Sequence, residues 1–311
     1  MHRVFRGCAP VVATLLCVAV TGAQATTYQV PSVSYPTLQA VAPVLNPNDI
    51  VEVQGNATYS GGVIFEEDGT PSQPITIRGI RVAGKRPRLH GGTNVVKLDA
   101  DNYVFEGFEI TGVTSPLTSI GIFCVGDNVT VRDCVVHDCP RHGILGGDQF
   151  SGDTTIEHVE VHHCGNGTNY HQMYMATDNM RHPTGVVRIQ YCYIHDAVGG
   201  NSIKTRAARN EIRYNWVEGA MFHELELIGA DLDGQDSSVT EGTVREDSEV
   251  IGNVFDKVTT STGAISRIGS DATGDSFGRY RFVNNTMLMR GAGSAAIRLQ
   301  EHVQSLSLIH I

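Results

Sequence analysis

Apolar residues in this chain recur two apart in short runs, without the three-to-four spacing of an amphipathic helix between them. From about residue 105 to 289 one phrase returns: a β-branched or aromatic residue, two variable positions, Cys or Asn, one variable position, then an apolar residue. It reads Phe105 to Ile110, Val131 to Val136, Ile156 to Val161, Ile189 to Ile194, Ile212 to Val217, Val250 to Phe255 and Phe282 to Met287, so its starts lie 26, 25, 33, 23, 38 and 32 residues apart. A second strand column carries Met173 and Met175, Ile203 and Thr205, Leu225 and Leu227, then Ile265 and Ile297, spaced by 30, 22, 40 and 32 residues. Two columns that lengthen and shorten together predict a parallel β-solenoid, each circuit of chain stacked on the last, with loops of unequal length on one rim.

The fold class expected is all-β, a single parallel β-helix, with right-handed coils favoured by the general crossover preference. Cys134, Val159, Cys192, Asn215, Asn253 and Asn285 would point inward at a corner, where stacked Asn side chains satisfy turn backbone groups. Thr37 to Val44 is expected as a short helix capping an end whose strand edges would otherwise aggregate. Ile50 to Val53 and Ile75 to Ile77 read as early strands, with Gly61-Gly62 and Asp68-Gly69 as turns. No linker divides the chain, so one domain is expected over 26–305.

Composition narrows the picture. The formal charge of −10 argues against nucleic acid, whose phosphates demand a dense Lys/Arg footprint. An acidic polymer would therefore need a local cationic patch. Residues 1–25 read as an export signal: Arg3 and Arg6, an apolar core from Ala9 to Val20, and Ala23-Gln24-Ala25 for cleavage. That apolar run is too short to span a bilayer, so a secreted or periplasmic, monomeric product is expected. Its removal takes the charge to −12 and leaves five cysteines: Cys124, Cys134, Cys139, Cys164 and Cys192. Cys139 and Cys164 lie eight residues into successive repeats, one coil apart, and are expected as a disulfide. Residues 306–311 resemble the in-frame translation of a transposon end used in preparing sequencing libraries, and are set apart from the domain.

Pro74 to Gly79, His171-Gln172-Met173-Tyr174, Ile203-Lys204-Thr205-Arg206, Asn210 and Asn215 together resemble the exported right-handed parallel β-helix proteins that include pectate-lyase-like and chondroitinase-B/alginate-lyase-like enzymes. The resemblance covers most of the mature chain. It specifies fold strongly and function weakly, because one architecture hosts many activities.

Counting along the second column stacks Tyr174, Lys204, Glu226, Ser266 and Arg298 in one outward row, with Gln172, Ser202 and Glu224 beside it and Arg206 further along the Lys204 strand. Adjacent coils lie ~4.8 Å apart, so a phenol, an ammonium, a guanidinium and carboxylates crowd one patch. That mixture suits β-elimination from a uronic-acid polysaccharide, which needs the substrate carboxylate neutralised, a carbon deprotonated and a leaving oxygen protonated. Arg206 would clamp the carboxylate, Lys204 would act as base, and Tyr174 would protonate the leaving oxygen with His171 orienting it. Glu226 completes the catalytic set, and Gln172, His223, Glu224, Arg267 and Arg298 are the substrate-binding candidates. The plainer reading is a solvated ladder of cross-coil ion pairs.

The resemblance also implies a Lys base, an Arg on the neighbouring coil and a carboxylate-bound Ca²⁺. Lys204 matches the first, but Glu226 stands where the Arg belongs, so Arg206 or Arg267 would replace it. Glu224, Glu226, Asp231 and Asp233 are the candidate Ca²⁺ ligands. A glycoside hydrolase using Glu224 or Glu226 with Asp231 or Asp233 is the alternative enzyme, and a glycan-binding solenoid the non-catalytic one. His137, His162 and His195, each followed by Asp138, His163 or Asp196, read as turn histidines, since ligands in a line do not converge on a metal.

Overall fold

The computed structural model describes residues 25–115, 117–229, 246–258, 261–269, 276–291, 293–300 and 303–309. The segment expected as an export signal, except Ala25, and Asp231 and Asp233 lie outside these.

Three parallel sheets wind around one core. Sheet A has eleven strands from Thr27–Val30 to Ser305–Ile309, sheet B nine from Thr58–Ser60 to Thr286–Met289, and sheet C nine from Val63–Phe65 to Ala295–Leu299. One circuit runs Val129–Arg132, Val135–His137 and His142–Gly146, and the next lands on it as Thr154–Glu157, Glu160–His162 and Met173–Ala176. Val131, Ile156, Ile189, Ile212, Val250 and Phe282 stack inside sheet A, all fully buried. Val136, Val161, Ile194, Val217 and Phe255 do the same inside sheet B.

Sheets A and B meet at a two-residue corner whose first residue is left-handed in coil after coil, at Gly107, Asp133, His158, Tyr191, Tyr214, Gly252 and Asn284. The second residue carries the inward ladder: Asn215 Oδ1 accepts from Cys192 N, Asn253 Oδ1 from Asn215 N, and Asn285 Oδ1 from Asn253 N, at 2.9 to 3.0 Å. Asn supplies the acceptor that the turn's buried N–H needs. At Gly252 a Cβ would stand 2.6 Å from the Tyr214 ring, so glycine there admits the aromatic of the coil before.

The cap is built as α-helix Leu38–Val41 continued by a 3₁₀ turn, Ala42–Val44. Thr37 caps it by accepting from Ala40 N, and Pro43 lacks the N–H that would continue the α pattern. Leu38 and Val41 plug the core end. No helix among the described residues is long and apolar enough to cross a membrane. Ser305–Ile309 pairs with Arg279–Val283 as the last sheet A strand, although most of it belongs to the segment set apart above. Its alternation of Ser and Leu fits any open parallel edge.

Candidate active site on the outer face of sheet C

The outward row is continuous over nine coils: Ile64, Lys97, Phe123, Leu145, Tyr174, Lys204, Glu226, Arg267 and Arg298 stand in register. Four of the expected members fall as counted. Ser266 does not: it pairs with Leu225 and is fully buried, and Arg267 faces out in its place. The shift arises because Ala264, Ile265 and Ser266 are all enclosed at the start of their strand, which puts Ile265 in the column of Glu224, the residue before Leu225. Gln172 and Ser202 share that enclosed column, so Gln172 and Glu224 do not reach a substrate. Gln172 Nε2 donates to His195 O at 2.9 Å, and Glu224 is paired at 3.1 Å with Lys257, both side chains fully buried.

Within the row, Lys204 Nζ lies 5.3 Å from the Tyr174 ring centre, a cation–π distance, and 3.5 Å from Glu226 Oε2. Glu226 is held more closely by others: Asn201 Nδ2 donates to it at 2.7 Å and Arg267 Nη1 lies at 2.8 Å. Arg206, expected as an open carboxylate clamp, is instead 4% exposed; its Nε donates to Tyr174 Oη at 2.9 Å and its Nη1 to Gly229 O at 2.8 Å. Beneath it Glu246 accepts from Tyr280 Oη and Asn210 Nδ2, and burial pushes its carboxyl up to about 8.

A ladder stands behind the row. His171 N donates to His142 Nδ1, Asn201 N to His171 Nδ1, and His223 N to Asn201 Oδ1, at 2.9 to 3.2 Å. Accepting at Nδ1 leaves the proton of neutral His142 and His171 on Nε2. Burial, and then the nearby cations, push His171 down to about 3; burial, offset in part by the bond from His171, takes His142 to about 4. Their rings sit 5.5 Å and 5.7 Å from Tyr174. His223 is also buried, its Nδ1 donating to Ala264 O, and it backs Glu226 rather than facing outward. Sequence reasoning passed over His142, Asn201 and Lys257. The spacing of His142, His171, Asn201 and His223, 29, 30 and 22 residues, repeats the offsets of the row itself and marks the ladder.

Ca²⁺ does not fit the carboxylates described here. Glu226 already sits between Lys204 and Arg267, and Glu224 against Lys257, so a dication would meet cations where it needs free oxygens. No cluster of three or more His, Cys, Asp or Glu able to hold a metal occurs among the described residues. His137, His162 and His195 stack at 4.9 and 5.0 Å, and the outer two are held by carboxylates, Glu109 and Asp138 for His137, Glu160 and Asp196 for His195. Cys139 and Cys164 are both buried free thiols, so the expected disulfide is not formed; each thiol faces a backbone carbonyl, His137 O and His162 O respectively.

Among solved structures the chain is similar to a pectate lyase (12% identity, TM-score 0.60, covering 89% of this chain and 79% of that one). It is also similar to an alginate lyase from Paenibacillus sp. str. FPU-7 (17%, 0.53, 90% and 98%) and to a rhamnogalacturonan lyase (12%, 0.53, 91% and 86%). At such identities the likeness is one of fold. No curated protein matches in sequence. The family model described as right handed beta helix region matches residues 61–258, and the chain, coiled as that description requires, belongs to the right-handed β-helix family.

Proposed function

We propose that the chain acts on a uronic-acid-containing polysaccharide by β-elimination along the outer face of sheet C. The observation that carries this reading is the locked group of Tyr174, Lys204 and Arg206 on two successive coils, backed by two neutral histidines. Arg267 and Arg298, next along the row, supply the cations that face a substrate carboxylate. Lys204 takes the proton from the carbon beside that carboxylate. Glu226, 3.5 Å from Lys204, is held at shorter distances by Asn201 and Arg267. Tyr174 gives its proton to the leaving oxygen, while Arg206 and His171 fix the phenol in place.

A carboxylate-pair hydrolase has less support, because Glu224 is sealed against Lys257 and Glu226 is enclosed in ion pairs. The lyase neighbours in fold favour elimination in the same direction. Export belongs to the same proposal, on the strength of Arg3, Arg6 and the Ala23-Gln24-Ala25 site. The test is incubation with alginate, pectate, glucuronan and glycosaminoglycans. Unsaturated uronate absorbance is the expected result; new reducing ends without it would point to hydrolysis, and retention without product to a binding protein.

A further inference from the structure

A cationic cleft lies on a different face. Residues 81–86 leave sheet A after Ile75–Ile80 and fold into a tight hairpin: Val82 and Lys85 exchange backbone hydrogen bonds, with Ala83 and Gly84 left-handed at its tip. Its base rests on Gly55, where a Cβ would come within 2.3 Å of Ile80 O and 2.4 Å of Lys85 O, so a side chain there would unseat it. Between the hairpin and the outer face of sheet B opens a cleft of about 480 Å³, within the ~300 to 1,000 Å³ range of small-molecule sites.

The chemistry of this cleft departs from the rest of the chain. Arg81, Lys85, Arg86 and Arg88 line it with Glu109 as the lining carboxylate, in a protein that carries 33 acids against 23 bases. Asp133, two coils on, holds Arg81 at 3.1 Å and Arg86 at 2.7 Å. The intervening coil carries Gly107 at the same corner, so no side chain stands between them. Burial would raise the Asp133 carboxyl, but the two guanidiniums outweigh it and hold it below the usual carboxylate range. Arg88 is paired with Glu109 at 2.6 Å. Two acids thus aim three guanidiniums without cancelling them, and Lys85 has no ion-pair partner among the described residues.

We infer that this cleft is a second anion subsite, taking a carboxylate of a polyuronate chain away from the sheet C row. The guanidinium forks match a carboxylate's two oxygens. The anion chemistry stands by itself; the choice of a polyuronate as its carrier rests on the function proposed above. The test is titration of a galacturonate tetramer into Lys204→Ala protein, in which turnover is blocked, with and without the added changes Arg81→Ala and Lys85→Ala. Both added sites are exposed on the hairpin, so folding is retained. The expected result is binding about tenfold weaker without the two loop cations, further weakened by salt, and no binding of the uncharged methyl-ester tetramer.

Affinity unchanged by the loop substitutions, or equal binding of the ester, would overturn the inference. Inorganic sulfate competing as well as the tetramer would reduce the site to one for any small anion and would overturn the polyuronate assignment. The two readings fail separately. If the sheet C proposal is wrong, the parent protein with Lys204 intact forms no product from any polyuronate, yet loop-dependent binding persists in the Lys204→Ala background; if the cleft is wrong, the parent forms product while the loop changes leave tetramer affinity untouched.

Discussion

Arg206 Nε donates to Tyr174 Oη at 2.9 Å between two successive coils, from a guanidinium that is almost wholly buried. The pair converts a residue suited to gripping substrate into one that fixes the phenol proposed as the proton donor. Arg206→Lys keeps the charge and loses the fork, so kcat is expected to fall ~10- to 100-fold with KM nearly unchanged. Tyr174→Phe removes the transferable proton and is expected to lower kcat by ~10² to 10⁴, whereas Arg298→Ala, at the exposed end of the row, raises KM. Initial rates of unsaturated-product formation separate these; a KM rise in Arg206→Lys equal to its kcat loss would place Arg206 on the substrate instead.

The solenoid was legible because its signal is redundant: the same apolar alternation returns in every coil, and an error in one spacing is outvoted by the others. The row was legible where strands are regular, at Tyr174, Lys204 and Glu226. It slipped by one at Ser266, because Ile265 is buried at the strand's entry and mimics an inward strand residue. What spacing does not carry is depth. Gln172, Glu224 and Arg206 are polar and were counted outward, yet each is buried because it has a hydrogen-bonding or ionic partner, His195 O, Lys257 or Tyr174, on another strand.

His171 and His142 make the site's scaffold sensitive to acid. Their folded values, about 3 and about 4, lie below the ordinary 6.5, so between pH 6.5 and those values the unfolded chain binds more protons. Their stabilisation is therefore complete above pH 6.5 and declines as the pH falls, by up to ~1.4 kcal/mol per unit for each histidine. His171→Asn keeps a side-chain acceptor for Asn201 N, as Asn201 itself does for His223, and removes one titration. Urea midpoints between pH 7.5 and 4.5 are expected to fall less steeply in that variant than in the parent; parallel curves would count against this assignment.

Lys257 and Glu224 form an ion pair with no exposed surface, supported by donation from Lys257 Nζ to Phe222 O and Ser261 Oγ. Burial already pushes Glu224 up to about 7, the lysine opposing it. Lys257→Met leaves that carboxyl alone and is expected to cost ~3 to 5 kcal/mol near neutral pH. The loss grows as pH rises from 4.5, because the unfolded acid ionises first. Adding Glu224→Gln removes the uncompensated charge and is expected to recover most of the stability. A double-mutant cycle of urea midpoints measures the coupling, and additive losses would mean the pair does not act as one unit.

The five cysteines among the described residues, in protein made from residue 26 onward, test the packing of the coils directly. Cys124, Cys134 and Cys192 are pushed up to about 12 by burial, and burial together with the neighbouring Cys139 drives Cys164 well above its ordinary value. Because the thiolate is the reacting species, Ellman's reagent is expected to find no reactive thiol in the folded protein. In denaturant it should find all five, since Cys139 and Cys164 are unbridged. A titre of three would show that oxidation joins those two coils after all. Rapid reaction in native buffer would show that the coils open, for all five are buried.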